Sequence, residues 1–213
     1  SDSFINGFYY RPRMDKSTLS QWYDGLIAIN GHLGSSIAFH LVNYVRSKDE
    51  KHWKLAVEEA AWHARTFRPN EKGEPRFFIE LQRHVPEQEA INPSLKRLAK
   101  ELKLPLICDN DSHFLRREDH DIHDTLCCIS MGKTKDAPER LKYPEEIYVK
   151  SPREMEELFS DCPEAIENAA LVAQRCNVEL KSGQNYAPVV KVRSPGEPPA
   201  YDAAKDGDLT EWF

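Results

Sequence analysis

An α/β fold built on a parallel sheet is what this sequence predicts, on three observations. Short apolar runs at 25–29, 77–82 and 104–108 have the length and composition of buried strands. Stretches whose apolar residues recur at helical spacing separate them. Each run also leads into polar residues, as strands do when they deliver side chains to the carboxyl edge of a parallel sheet.

The elements follow in order. The first fifteen residues hold Phe4, Ile5, Phe8, Tyr9, Tyr10 and Pro12 without a helical period. Those aromatics need a surface to cover, and the segment, which lacks an initiator Met, reads as chain entering from something larger. Gly25-Leu26-Ile27-Ala28-Ile29 is the first strand, closed by Asn30-Gly31. A helix is expected from about Ser35 to Val45. A longer one is expected from about Lys48 to Phe67, where Trp53, Val57, Ala60, Ala61 and Ala64 share a face. Phe77-Phe78-Ile79-Glu80-Leu81-Gln82 alternates as a second strand. Pro86 then opens a helix to about Leu102, with Leu95, Leu98, Ala99 and Leu102 apolar. Leu104-Pro105-Leu106-Ile107-Cys108 is the third strand, entered through a proline that belongs at a strand's first residues. Helices are expected from Glu118 to Ile129, from Glu154 to Phe159 after Ser151-Pro152, and from Asp161-Cys162-Pro163 to Cys176, with Asn177 as the stop. From Lys181 onward Pro188, Pro195, Pro198 and Pro199 mark an extended linker. Asp208 to Phe213 resembles a helix opening with no room to finish, so both ends read as cuts.

Composition narrows the function classes. The 213 residues carry 29 Lys+Arg against 35 Asp+Glu, a net charge of −6, which suits one domain or one domain with a tail. No apolar stretch approaches the roughly 18–20 residues of a membrane helix. No basic segment followed by an apolar one opens the chain as a signal peptide would. A pI near 5.8 argues against a broadly nucleic-acid-binding surface and leaves room only for a local basic groove. The five cysteines match no CxxC or zinc-finger spacing, and Cys127-Cys128 reads as a buried pair of small hydrophobes. Reduced thiols in the cytoplasm are the simplest account.

The chemistry collects at the strand ends. His32 follows the first strand. The second carries Glu80, Gln82, Arg83 and His84, and the third runs into Asp109-Asn110-Asp111-Ser112-His113. Asp111 and His113 are alternate residues leaving a strand and so point the same way. Imidazole with carboxylate suits zinc or manganese, although polar loops after strands also arise from solvation alone. His40, His52 and His63 are expected on helix surfaces or in packing, as are His120 and His123, whose spacing of three would also permit chelation. Gly132-Lys133-Thr134 looks like the end of a phosphate-binding loop, but the first glycine of that motif would fall at Cys127, and a helix precedes it.

Several segments together resemble a known family. Gly7-Phe8-Tyr9-Tyr10-Arg11-Pro12-Arg13, Glu80-Leu81-Gln82-Arg83-His84 and Asn110-Asp111-Ser112-His113-Phe114 are similar, in order and spacing, to the polymerase-and-histidinol-phosphatase (PHP) domain of bacterial replicative DNA polymerase III alpha subunits. Gly132-Lys133-Thr134, Tyr148-Val149-Lys150-Ser151-Pro152 and Arg175-Cys176-Asn177-Val178-Glu179-Leu180 extend the likeness to about residue 180. The resemblance implies a partial (β/α)7-type PHP barrel followed by a helical segment and an extended linker. Residues 1–150 would be the C-terminal half of the barrel, 151–180 a helical segment linking it to the palm, and 181–213 a Pro-rich linker and the start of the palm.

It also implies a divalent metal, Zn or Mn, held by His32, Asp111 and His113, with Glu80 and His84 behind these ligands or at the substrate and Arg83 on a phosphate. The polymerase branch often has Cys where His32 stands; histidine is the choice of the free-standing phosphoesterases and favours retained metal binding. Active members are metal-dependent 3′–5′ exonucleases, and the intact subunit polymerises deoxynucleotides on DNA with Mg alongside other replicase subunits, with no membrane partner. The family's His-x-His and the palm aspartates have no counterpart in this sequence, so part of the metal site and all of the polymerase site would lie elsewhere. A partial barrel would also leave a sheet edge unpaired and prone to association. Two other readings are a PHP scaffold without activity, bracing the polymerase and binding partner subunits, and a free-standing PHP phosphoesterase. The likeness from Gly132 to Leu180 to the polymerase branch speaks against the latter.

Overall fold

The structure, a computed structural model, describes residues 2–180 and Gly183. The expected linker and the helix-like close at 208–213 lie outside the described residues. Two compact units are distinguished, Ser1–Cys176 and Asn177–Phe213, and the elements below all belong to the first.

A four-residue helix, Asp2–Ile5 (α1), precedes a small antiparallel hairpin of Phe8–Tyr9 (β1) and Arg11–Pro12 (β2). Tyr10 turns it with φ of 58°. Lys16–Gln21 (α2) is capped by Asp15, whose carboxylate accepts from the Thr18 amide at 2.7 Å. Neither helix is expected from the apolar spacing; both are shorter than two turns and show no hydrophobic period to detect.

The first strand of the main sheet is Ala28–Ile29 (β3). It is shorter than the apolar run because Gly25 sits at φ 70° and the Leu26 amide bonds back to the Tyr23 carbonyl, so the run begins as a turn. Ser36–Ser47 (α3) follows, capped by the Ser35 hydroxyl, and Glu50–Thr66 (α4) is capped by Asp49. Phe77–Leu81 (β4) leads to Pro86–Leu102 (α5) and Leu106–Cys108 (β5). A 3₁₀ turn at Arg117–Asp119 enters His120–Met131 (α6), which ends at Gly132 with φ of 62°. That left-handed C-cap is the local role of the glycine in Gly132-Lys133-Thr134. Pro152–Leu158 (α7) opens on a Ser151/Glu154 capping box, and Pro163–Arg175 (α8) completes the order.

The main sheet runs β3–β4–β5, all parallel, with Ala28 opposite Phe77 and Leu81 opposite Cys108. Every residue of β4 is buried, so both faces of the central strand are covered. Phe77, Ile79 and Leu81 join the core formed by Ile37, Leu41, Trp53, Ala56, Ala60, Leu95, Leu98, Phe159 and Ala165. Phe78 and Glu80 alternate to the opposite face. Beyond β5 a parallel bridge pairs Phe114 with Tyr148, so the segment near 148 runs beside the loop that carries Asp111 and His113. On the outer side of β5, α8 lies against the strand and the Asn168 amide donates to the Leu106 carbonyl at 2.7 Å. No helix among the described residues is long and apolar enough to cross a membrane.

Candidate functional site

Three parallel strands in register bring the loops after β3, β4 and β5 to one edge. A buried amide–carboxylate network ties that edge together. Asn30, just after β3, accepts the Glu80 amide at 2.5 Å. Gln82, just after β4, donates its side-chain amide to Glu80 at 2.6 Å and to Asp109 at 2.8 Å. Its side-chain carbonyl accepts from Gln88 at 2.8 Å, and its main-chain carbonyl accepts from Asn92 at 3.0 Å. Glu80 is buried, and burial, reinforced by the nearby Asp109, pushes its carboxyl up to about 9. It therefore holds a proton at neutral pH.

Asp111 and His113 are brought together. The Asp111 amide donates to the Asp109 carboxylate at 3.2 Å, and the residue takes a left-handed φ of 46°. Its carboxylate lies 3.3 Å from His113 Nε2. The His113 ring packs against Tyr143, centroids 4.6 Å apart, and edge-on to His123 at 5.8 Å. His123 thus has a packing role, and its pKa is lowered by burial and by His113 and His120. His120 bonds the Tyr143 carbonyl at 2.9 Å, while His63 stacks on Phe77. Cys128 is buried, whereas Cys127 is half-exposed with its thiol 3.9 Å from the His123 ring.

His32 takes a different position. Its Nδ1 accepts from the Gly34 amide at 2.9 Å, so the neutral ring carries its proton on Nε2 and must turn before that nitrogen can donate to a cation. The ring borders a small cavity shared with Glu80, Gln82, Gln88 and Asn92, and the side-chain carbonyl of Asn92 is buried without a partner. His84 Nε2 meets the Gln88 amide at 2.8 Å; its Nδ1 is buried and unpaired, and burial lowers its pKa, which favours the neutral ring. Arg83 is engaged elsewhere, on the Leu158 carbonyl at 2.9 Å, Asp161 at 2.9 Å and the Phe159 ring at 5.0 Å. Lys96 and Arg83 together draw the Asp161 carboxyl down to about 2.

The donor set fits a divalent cation in part. Asp111 and His113 form a carboxylate–imidazole pair, but among the described residues no three His, Cys, Asp or Glu side chains converge closely enough to hold a metal. The network around Gln82, Gln88, Asn92 and Asp109 was not expected from the sequence. The only signal for it is the spacing of two between Glu80 and Gln82 at the end of β4, which turns both to one side.

Residues 1–84 match the family described as "PHP domain". The DNA polymerase III subunit alpha of Campylobacter jejuni is 37% identical over 196 residues, 90% of this chain and 16% of that protein. Its counterpart in Borreliella burgdorferi is 38% identical over 179 residues, 83% of this chain and 14% of that protein. In Pseudomonas aeruginosa the figures are 40% over 181 residues, 82% and 14%. Over most of its length this chain is homologous to the DNA polymerase III alpha subunit. The PHP match takes in His32, Glu80, Arg83 and His84, while Asp111 and His113 fall beyond it. A stretch covering 90% of the chain necessarily includes both, so the similarity to polymerase III alpha subunits spans the pair. The chain spans 14–16% of the length of these relatives.

Proposed function

We propose that this chain works as part of a replicative DNA polymerase III alpha subunit, where it contributes one side of a PHP-domain metal site with 3′–5′ exonuclease activity. The observation that carries this reading is the Asp111–His113 pair at the carboxyl edge of a parallel sheet, in a chain homologous to polymerase III alpha subunits. Asp111, His113 and, after its ring turns, His32 would hold a divalent cation, zinc or manganese by donor type. Such an ion lowers the pKa of a bound water and offsets charge on a phosphodiester. The chain's own residues hold the site in shape: Asp109 fixes Asp111, Tyr143 and His123 pack the His113 ring, and neutral His84 stands behind them. The remaining ligands would come from other parts of a (β/α)7-type barrel, of which 1–150 would be one half, with 151–180 and 181–213 leading towards the palm. The longer protein would bind DNA, deoxynucleotides, Mg and other replicase subunits in the cytoplasm.

Asp111→Ala in the intact subunit is expected to remove bound PHP metal and any exonuclease activity of the domain while leaving polymerisation in place. Metal content unchanged in that variant overturns the ligand assignment. A second reading, a PHP scaffold that braces the polymerase, is favoured by His32, whose Nδ1 is taken up by the Gly34 amide instead of standing free for a cation. It predicts that the intact wild-type subunit carries no PHP metal.

A further inference from the structure

We propose that Gln82 is a positioning residue for the Asp111–His113 pair, acting through Asp109; its bearing on metal binding rests on the reading of that pair as ligands.

Gln82 is buried, and every polar atom of its side chain is used. One amide nitrogen serves two carboxyl groups, Glu80 at 2.6 Å and Asp109 at 2.8 Å, while the amide oxygen accepts from Gln88. Those partners fix which end of the amide faces which way, because flipping it would aim an oxygen at the Asp109 carboxylate and an N–H at the Gln88 donor. Gln88 is held in turn, since its oxygen accepts the His84 and Val85 amides at the start of α5. Asn92 anchors the Gln82 main chain from the same helix. The amide is therefore fixed from β4 and from α5 at once.

Asp109 passes this order on. The same carboxylate oxygen that receives Gln82 also accepts the Asp111 amide at 3.2 Å. Asp111 needs such support, because a residue with a Cβ adopts a left-handed φ of 46° at a cost in free energy. That conformation accompanies the 3.3 Å approach of the Asp111 carboxylate to His113 Nε2. Without Gln82 the Asp109 carboxylate keeps its contact with the Glu80 carboxyl but loses the amide that holds the oxygen bonded to Asp111, and the restraint on Asp111 weakens with it. Glutamine suits the position because it supplies two donors and an acceptor at the end of a two-methylene arm. Leucine or methionine would fill the space and leave both carboxyl groups without that donor.

The test is amide hydrogen exchange by NMR on the 213-residue chain, comparing wild type with Gln82→Met, Gln82→Asn, Asp109→Ala and Asp109→Asn. Gln82→Met is expected to speed exchange at Asp111 by about tenfold, the consequence of losing one hydrogen-bonded restraint. Amides within β4 and β5 should keep their protection. Gln82→Asn, whose amide falls one methylene short of Asp109, is expected to do the same and decides the matter if the methionine variant does not fold. Asp109→Ala should match Gln82→Met. Asp109→Asn, which keeps an acceptor for both donors, should restore protection at Asp111. Unchanged Asp111 exchange in Gln82→Met or Gln82→Asn overturns the proposal, and so does a uniform loss of protection across the sheet, which would mark Gln82 as generally stabilising. Mn²⁺ added to the wild-type chain reports separately on the ligand reading. Paramagnetic broadening at Asp111 and His113, with Asp111 exchange unmoved by the Gln82 changes, refutes the positioning role alone. Absence of broadening, with exchange accelerated, counts against these residues as ligands in this chain and upholds the positioning role.

Discussion

Replacing Glu80 by glutamine should free the stability of this protein from one strong dependence on pH. The ordinary carboxyl value for this residue is 4.5, and burial with the Asp109 neighbour pushes it up to about 9 in the fold. Between those values the folded protein keeps the Glu80 proton while the unfolded chain has released it. Stability from this group is therefore fully present below 4.5 and is lost as pH rises towards 9, by about 1.4 kcal/mol per pH unit. At pH 7 the rise of 2.5 units above 4.5 amounts to ~3 kcal/mol. Glu80→Gln retains an oxygen for the Gln82 amide and presents no titrating proton. Urea unfolding of both proteins at pH values from about 5 to about 8 reads the effect of Glu80 together with its Asp109 neighbour, the remaining titrating groups being shared. The variant should gain steadily on the wild type as pH rises. A stability difference that stays constant with pH, or moves the other way, refutes the reasoning and means Glu80 ionises normally in the fold.

Two further changes probe the packing and the His32 turn. Phe159→Ala removes a fully buried ring that joins the α7–α8 corner to the sheet and carries the Arg83 guanidinium on its face. It should cost about 3–5 kcal/mol by chemical denaturation, and a near-neutral result would show that this corner is not part of the cooperative core. Gly34→Ala would place a methyl carbon 2.7 Å from the His32 ring, so the imidazole must leave its bond with the residue 34 amide. NMR signals of the His32 ring should shift while overall stability changes by less than about 1 kcal/mol; unmoved signals would mean that the ring does not pack against residue 34.

What the sequence disclosed depended on whether a residue's role is local. Pro86–Leu102 is readable because proline at the first helical position and a regular apolar face both mark it. Phe77–Leu81 announces itself by composition, although its alternation divides two buried faces rather than core from solvent. Asp111 and His113 are legible as a pair from residue type and proximity in sequence, but β5 ends at Cys108 and Asp111 has a left-handed φ of 46°, so a turn and not the expected strand alternation brings them together. The rest of the site is not local. Gln82 reaches Asp109 across 27 positions, and an amide that joins two carboxyl groups leaves no periodic trace. His32 has the right chemistry for a ligand, but its place is set by a bond to an amide two residues on, within a turn whose geometry residue type alone does not reveal. The short helix Lys16–Gln21 carried one readable mark, the Asp15 cap three residues before Thr18, with no apolar period to support it.

The seal that Asn168 places on the Leu106 carbonyl makes the two margins of the main sheet unequal. Along β5 the outermost backbone is occupied by α8, and further on the chain pairs Phe114 with Tyr148. Along β3 no strand among the described residues lies beyond Ala28–Ile29, and Leu26 and Ile29 are exposed beside it. The sheet is thus more open to extension along β3 than along β5. A strand from a longer chain or from a second molecule would meet unpaired backbone first along β3.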